Sequence, residues 1–415
     1  MLKKYIHFTF LFFLIVALSG VLLRLYPLLS NPNIPYDHLL HAHSHLALLG
    51  WEFLAVFIIF LVIFWREIVR KKHALAICCA LVIVSFAMFF AFLYEGYGIF
   101  SIITSTLHIF SEYWAAIFIY QTIKKKKYIP TLYLKGGLIA LVISSLGPYA
   151  LAVISANGWK EHALFDMSVY FYLHFQYNGW LTLFLIGTFL LILQMKKIPL
   201  NEKLLHVSFW LYFVALFPSY LLSVLWVEQL GKGVHVVGTV GSIGQWISII
   251  IMLFVINKSS VYWKKHFTRL TIVFIEFSLL ILFVKSSLEL GLISPHLATL
   301  VYDTRSVIIG YLHLTLLGFI SIFILAQFLM LKILVVNVRT KISFTIFSSG
   351  LIVMEFLLFL EGLTKWLGLA TFPFYIEGLL FTAVLLAVAV LGFWMTVNHN
   401  GKINKDTSFP SDVPE

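Results

Sequence analysis

Apolar runs of roughly 20 or more residues, long enough for a helix rising 1.5 Å per residue to cross a ~30 Å hydrocarbon core, follow one another from Tyr5 to Trp394 with only short polar breaks between them. Hydrocarbon offers backbone N–H and C=O groups no partners, so a chain built this way folds as a bundle of spanning helices, each satisfying its own backbone. The pattern predicts an all-α integral membrane protein with 12 spans, at residues 5–28, 40–66, 73–94, 99–123, 130–156, 166–195, 204–229, 234–257, 268–292, 305–335, 341–364 and 373–397, numbered here helices 1 to 12. A content of 61% hydrophobic and 11% charged residues excludes an ordinary soluble domain. The opening Met1-Leu2-Lys3-Lys4 and the later Ala17-Leu18-Ser19-Gly20 have the outline of a signal peptide. The apolar run continues to Leu28, however, and losing it would leave an odd helix count, so it is read as helix 1.

Lys and Arg near helix ends set orientation. With both termini cytoplasmic, all of the 29 basic residues lie on the inner side except Arg24, Lys160, Lys232, Lys285, Arg305 and Lys365. The net charge of +11 is then a topology signal, and nucleic acid is not needed to explain it. Residues 1–400 are expected to form one polytopic membrane domain, and residues 401–415, rich in Pro, Ser, Asp and Lys, a short solvated cytoplasmic tail. Cys78 and Cys79 are adjacent in an apolar helix and form no disulfide framework.

The histidines follow a pattern. His45-Leu-Ala-Leu-Leu-Gly50-Trp51, His174-Phe-Gln-Tyr-Asn-Gly179-Trp180 and His313-Leu-Thr-Leu-Leu-Gly318-Phe319 share histidine, four residues, glycine and an aromatic. Their spacing of roughly 130–140 residues places them in helices 2, 6 and 10, the second helix of each of three four-helix pseudo-repeats at about 1–127, 128–262 and 263–400. Ordinary helical geometry puts the glycine about 140° around from the histidine, where it would admit a neighbouring helix or a flat cofactor. Polar side chains at membrane depth mark a site or pathway when they recur in this way, whereas a lone histidine such as His206 more often serves as hydrogen-bonding glue.

With three four-helix units and histidines on helices 2, 6 and 10, the chain resembles subunit I of the haem-copper oxidase and nitric oxide reductase superfamily. His43-Ser44-His45 is similar to the His-x-His segment of the cbb-type oxidases and nitric oxide reductases, and Tyr311-Leu312-His313 is a variant of it. The resemblance implies a multi-pass protein of a bacterial inner membrane that carries low-spin haem b with His45 and His313 as axial ligands, engaged in electron transfer or NO and O2 chemistry. It implies oxidase-like subunits or a redox protein as partners. It also makes His174 a copper ligand, with His43 as a second candidate metal ligand, and leaves copper as the open part of the cofactor expectation. Two departures argue for an incomplete binuclear site: Phe217-Pro218-Ser219-Tyr220 stands where helix 7 should carry a histidine pair, and Tyr311 stands where the reactive haem's ligand should be. The NnrS family of haem- and copper-containing proteins associated with nitric oxide stress ranks second, on His41-Ala42-His43.

His38, His41 and His45 form one stripe of helix 2, with His43 about 200° from His45. If His45 holds iron, His41 and His38 lie outward, where haem propionates emerge, and Arg24 and Arg305 at the outer ends of their helices suit the same groups or the lipid headgroups. His108 and Glu112 are an i, i+4 pair that eases burial of a carboxylate, with a proton-relay role as the functional alternative. A proton- or metal-coupled transporter is a competing reading, weakened because transporters favour inverted repeats with sites near the midplane, and a scaffold with purely structural histidines is another.

Overall fold

The computed structural model describes residues 2–30, 33–227 and 230–398, and the expected tail beyond Asn400 lies outside them. Among the described residues, twelve helices are long and apolar enough to cross a membrane. Helices 1 to 6 are Leu2–Leu28, Tyr36–Phe64, Lys71–Glu95, Ile99–Ile123, Ile129–Ala156 and Ala163–Met195. Helices 7 to 12 are Glu202–Val224, Lys232–Trp263, Arg269–Ile293, Arg305–Met330, Val338–Trp366 and Tyr375–Trp394. Each matches an expected span, because an apolar run of this length has no other way to satisfy its backbone in lipid. The outward faces remain apolar: Ile99, Phe100, Ile102, Phe110 and Ile117 of helix 4 are all exposed, as lipid-facing residues should be.

The helices group into two compact units. The first holds residues up to Lys124 with those from Ile324 onward through helix 12, and the second runs from Lys125 to Phe323. Helix 9 and helix 10 as far as Phe323 group with the second unit, whereas helix 10 from Ile324 groups with helices 11 and 12 in the first. In the first unit, an isolated antiparallel bridge between Leu334 and Val397 ties the chain after helix 10 to the end of helix 12.

Burial separates the histidine-bearing helices from the rest. The most apolar stretch of helix 2 is 94% buried and that of helix 6 is 89%, with 61% for helix 10, against 44–50% for the other nine spans.

Each of the three also leaves α-geometry at its motif. A π-helical stretch spans Leu46–Glu52, His174–Leu181 and Leu314–Ser321. The Phe53 N–H reaches back five residues to the Leu48 carbonyl, so the turn is wider than an α-turn. The glycine five places after each histidine consequently lies closer to the histidine's own face than the 140° expected from α-geometry, which is a correction to that expectation. Helix approach explains Gly179: a Cβ there would lie 2.6 Å from the Ala140 Cβ of helix 5. At Gly50 a Cβ would meet the Leu46 side chain at 2.7 Å. The aromatic that follows packs inward, Trp51 stacking on Phe13 of helix 1 at 4.0 Å between ring centroids.

Candidate functional site

In the first unit, helix 2 presents two faces. His38, His41 and His45 turn to the end of helix 3: His38 Nδ1 lies 3.3 Å from the Leu93 carbonyl and the ring packs against Gly96, whose positive φ forms the tight turn there. His43 turns to helix 1, where its Nδ1 lies 3.0 Å from both the Val16 carbonyl and Ser19 Oγ. Because the Ser19 hydroxyl already donates to Val16 at 2.9 Å, the proton on this contact comes from His43 Nδ1. The separation of faces is the one the helical stripe predicts.

His45 is half-buried, and its Nδ1 lies 2.9 Å from the His41 carbonyl one turn back. Only an Nδ1–H can donate to a carbonyl, so Nε2 carries the lone pair, the tautomer a metal-ligating imidazole needs. The ring stacks on Phe92 at 4.1 Å and meets Tyr97 edge-on at 5.9 Å, and Tyr97 packs on His41 at 4.4 Å. Tyr97 lies in the turn between helices 3 and 4, and burial pushes its hydroxyl up to about 12, so it stays neutral.

Deeper in this unit His108 Nδ1 and Glu112 Oε1 are 3.0 Å apart and both residues are buried, as the i, i+4 spacing predicts. His108 Nε2 has no hydrogen-bond partner among the described residues, nor has Glu52 Oε2 on helix 2. Arg24 is within electrostatic range of His43, Glu355 and Tyr375, and Glu355 is buried with no hydrogen-bond partner on either carboxylate oxygen among the described residues.

In the second unit, His313 repeats the arrangement of His45. It is half-buried, and its Nδ1 lies 2.8 Å from the Ile309 carbonyl one turn back. Arg305, eight residues earlier, is exposed at the start of helix 10. His174 is different. It is 3% exposed, its Nε2 lies 2.9 Å from the Leu216 carbonyl of helix 7, and its Nδ1 lies 3.3 Å from Asn178 Nδ2. Asn178 can only donate through that nitrogen, so His174 accepts at Nδ1 and donates at Nε2, and both ring nitrogens are engaged. Ser219 and Tyr220 stand beside this imidazole, Ser219 Oγ at 3.4 Å from Nε2 and the Tyr220 ring at 6.0 Å.

Asn178 leads into a polar cluster that sequence reasoning missed. Its Oδ1 accepts from Lys285 and its Nδ2 donates to Glu289 at 3.1 Å, while Lys285 Nζ and Glu289 Oε1 are 3.0 Å apart. The Tyr311 hydroxyl donates to the same carboxylate, and the Lys285 ammonium lies 5.4 Å from the Tyr177 ring and 5.9 Å from the Tyr311 ring. The Tyr212 hydroxyl closes the group on the Asn178 carbonyl at 2.8 Å. The i, i+4 spacing of Lys285 and Glu289 was the available signal, but nothing in the sequence linked them to helices 6 and 10. Other acidic residues within the spans separate: Glu355 is buried, whereas Glu377 is exposed and Glu276 is half-exposed in an ion pair with Lys264. Among the described residues no three His, Cys, Asp or Glu side chains are placed to hold a metal ion together.

No family model matches the sequence, and neither does any curated protein. A match does come from the solved structures: a haem-copper terminal oxidase dimer studied by electron cryo-microscopy aligns with a TM-score of 0.72, covering 95% of this chain and 83% of that chain at 13% sequence identity. At that identity the likeness concerns the path of the backbone, and it agrees with twelve spanning helices among the described residues. This chain is a multi-pass membrane protein with the fold of a haem-copper oxidase.

Proposed function

We propose that the chain is a b-type haem protein working in electron transfer or in the chemistry of NO or O2, with His45 and His313 as haem ligands and without a complete binuclear centre. The observation that carries the reading is the shared state of these two imidazoles: each is half-buried, with Nδ1 held by the carbonyl one turn back and the lone pair therefore on Nε2. Ligating histidines are commonly oriented by this kind of bond. When bound between two imidazoles, haem supplies reversible one-electron transfer. The chain's own residues orient it: Phe92 and Tyr97 fix the plane of the His45 ring, and His41, Arg24 and Arg305 are proposed to face the propionates, with Arg24 dividing its charge between a propionate and Glu355. Haem b is the expected type, because no Cys-x-x-Cys-His attachment motif occurs in the sequence.

The residues around His174 suit a copper ion poorly. To ligate, His174 would have to give up its Leu216 or Asn178 bond, and Ser219 and Tyr220 bring no imidazole to its side. Tyr311, at the position of the reactive haem's ligand, is committed to Glu289. His43 is turned to helix 1 and bonded there. We therefore assign no copper to the chain. The charge asymmetry supports both termini being cytoplasmic, in a bacterial inner membrane, with a redox protein or oxidase-like subunit as partner.

A pyridine haemochrome spectrum of protein expressed with ample haem tests the proposal: a b-type spectrum is expected, and a haem-free preparation would overturn it.

A further inference from the structure

We propose that the groove between helices 8 and 9 is a binding site for one aminophospholipid, its acyl chain lying in the groove and its zwitterionic headgroup on Lys264 and Glu276. The groove encloses about 520 Å³ and lies wholly within the second unit. Its walls are Ile250, Leu253 and Phe254 of helix 8 against Leu279, Leu280 and Phe283 of helix 9, and the buried Trp263 lines it beside Lys264. From Glu276 to Phe283, and equally from Asn257 to Ile250, it runs seven residues, or about 10 Å, which is some two-thirds of one leaflet's ~15 Å share of the hydrocarbon core.

The end near the junction of the two helices is polar and carries both signs. Lys264 Nζ and Glu276 Oε1 are 3.1 Å apart, yet the side chains are 49% and 51% exposed. Glu276 lies seven residues, about 10 Å, inside the start of helix 9 at Arg269, a depth where an outward-facing carboxylate is costly without a polar neighbour. An ammonium offers three donors and a carboxylate about four acceptor sites, so the single contact leaves most of both unused. Asn257 adds an exposed amide on the groove wall, and Lys258 lies over the neighbouring Phe254 ring at 4.7 Å.

A headgroup with one phosphate and one ammonium matches this pair charge for charge. The phosphate settles on Lys264 and the ammonium on Glu276, giving four alternating charges with the existing ion pair intact. A purely anionic headgroup would satisfy Lys264 and be repelled by Glu276. A helix from another protein would require both half-exposed charges to be buried or newly paired.

Native mass spectrometry of the full-length chain in detergent, titrated separately with phosphatidylethanolamine and phosphatidylglycerol, tests the assignment. One phosphatidylethanolamine per chain should bind at least tenfold more tightly than phosphatidylglycerol. Glu276→Gln should abolish that preference, and Lys264→Gln should weaken both lipids about tenfold. Both residues are surface-exposed, so the variants are expected to fold, and an unchanged melting temperature checks this. Lys203→Gln, at the exposed start of helix 7, is the control and should change neither titration. Preferential binding of phosphatidylglycerol, absence of a tight lipid, or equal loss in the control would overturn the assignment. A dimer of the chain that dissociates in Glu276→Gln would do the same, by showing that the groove receives protein.

Discussion

Helix 2 in the first unit and helix 6 in the second carry the same histidine-glycine-aromatic motif and the same π-helical widening, yet their imidazoles have opposite fates. His45 bonds only backward along its own helix through Nδ1, which leaves the Nε2 lone pair available for chemistry. His174 is drawn into helix 7 through Nε2 and into Asn178 through Nδ1, and Asn178 in turn serves the Lys285–Glu289 pair. The shared motif goes with a shared backbone, while neighbouring side chains determine whether a ring nitrogen is hydrogen-bonded away. A leucine stands four residues after His45 and an asparagine four residues after His174, and that one difference places an amide against the ring.

Substituting the motif histidines should give the largest contrast. His45→Ala and His313→Ala are each expected to remove the haem signal, whereas His174→Ala should keep it and lose stability, by about 2–3 kcal/mol for two buried hydrogen bonds and their orphaned partners. Haem content per chain and thermal unfolding, measured on the same samples, check this. Loss of haem in all three would mean that folding rather than ligation was being read, and the comparison of helices 2 and 6 would fail.

The polar cluster offers the next contrast. Lys285→Met strands the Glu289 carboxylate among tyrosines and should cost about 3–5 kcal/mol, whereas Lys285→Met combined with Glu289→Leu should cost less than the single change, because no unpaired charge remains. Unfolding in detergent at two pH values measures both. Protonation restores neutrality to a stranded carboxylate, so the single variant should recover as pH falls and the double variant should not.

The helices, their limits within a few residues and the threefold repeat could all be read from the sequence, because each rests on a local signal: apolar length, or a pattern repeated along the chain. The faces of helix 2 were equally legible, since His38, His41 and His45 differ from His43 by simple helical rotation. What could not be read depended on distant partners. The π-turns reposition Gly50 and Gly179 relative to their histidines, and no local rule announces them. The partners of Lys285 carry no local signal: Asn178 lies more than a hundred residues away in sequence and Tyr311 about twenty-five. Glu276 lies within an apolar span yet is half-exposed, because hydropathy cannot say which side of a helix faces lipid.

A smaller effect separates packing from ligation at the repeat. Gly179→Val crowds Ala140 of helix 5 and should cost about 1–3 kcal/mol without reducing haem content per folded chain. The smallest belongs to His206, exposed on helix 7 and bonded to Trp210 at 3.2 Å: His206→Ala should leave haem unchanged and stability within about 0.5 kcal/mol.

The proposal to be tested is that His45 and His313 ligate a low-spin haem, while His174 is held by Leu216 and by Asn178 of the Lys285–Glu289 cluster and ligates no copper. Iron, copper and haem b per chain, determined on one purified sample together with electrochemical oxygen consumption under an artificial reductant, test it most directly. Haem b with equimolar iron, no stoichiometric copper and negligible oxygen turnover is the expected result, and one copper per chain with rapid oxygen reduction would contradict it.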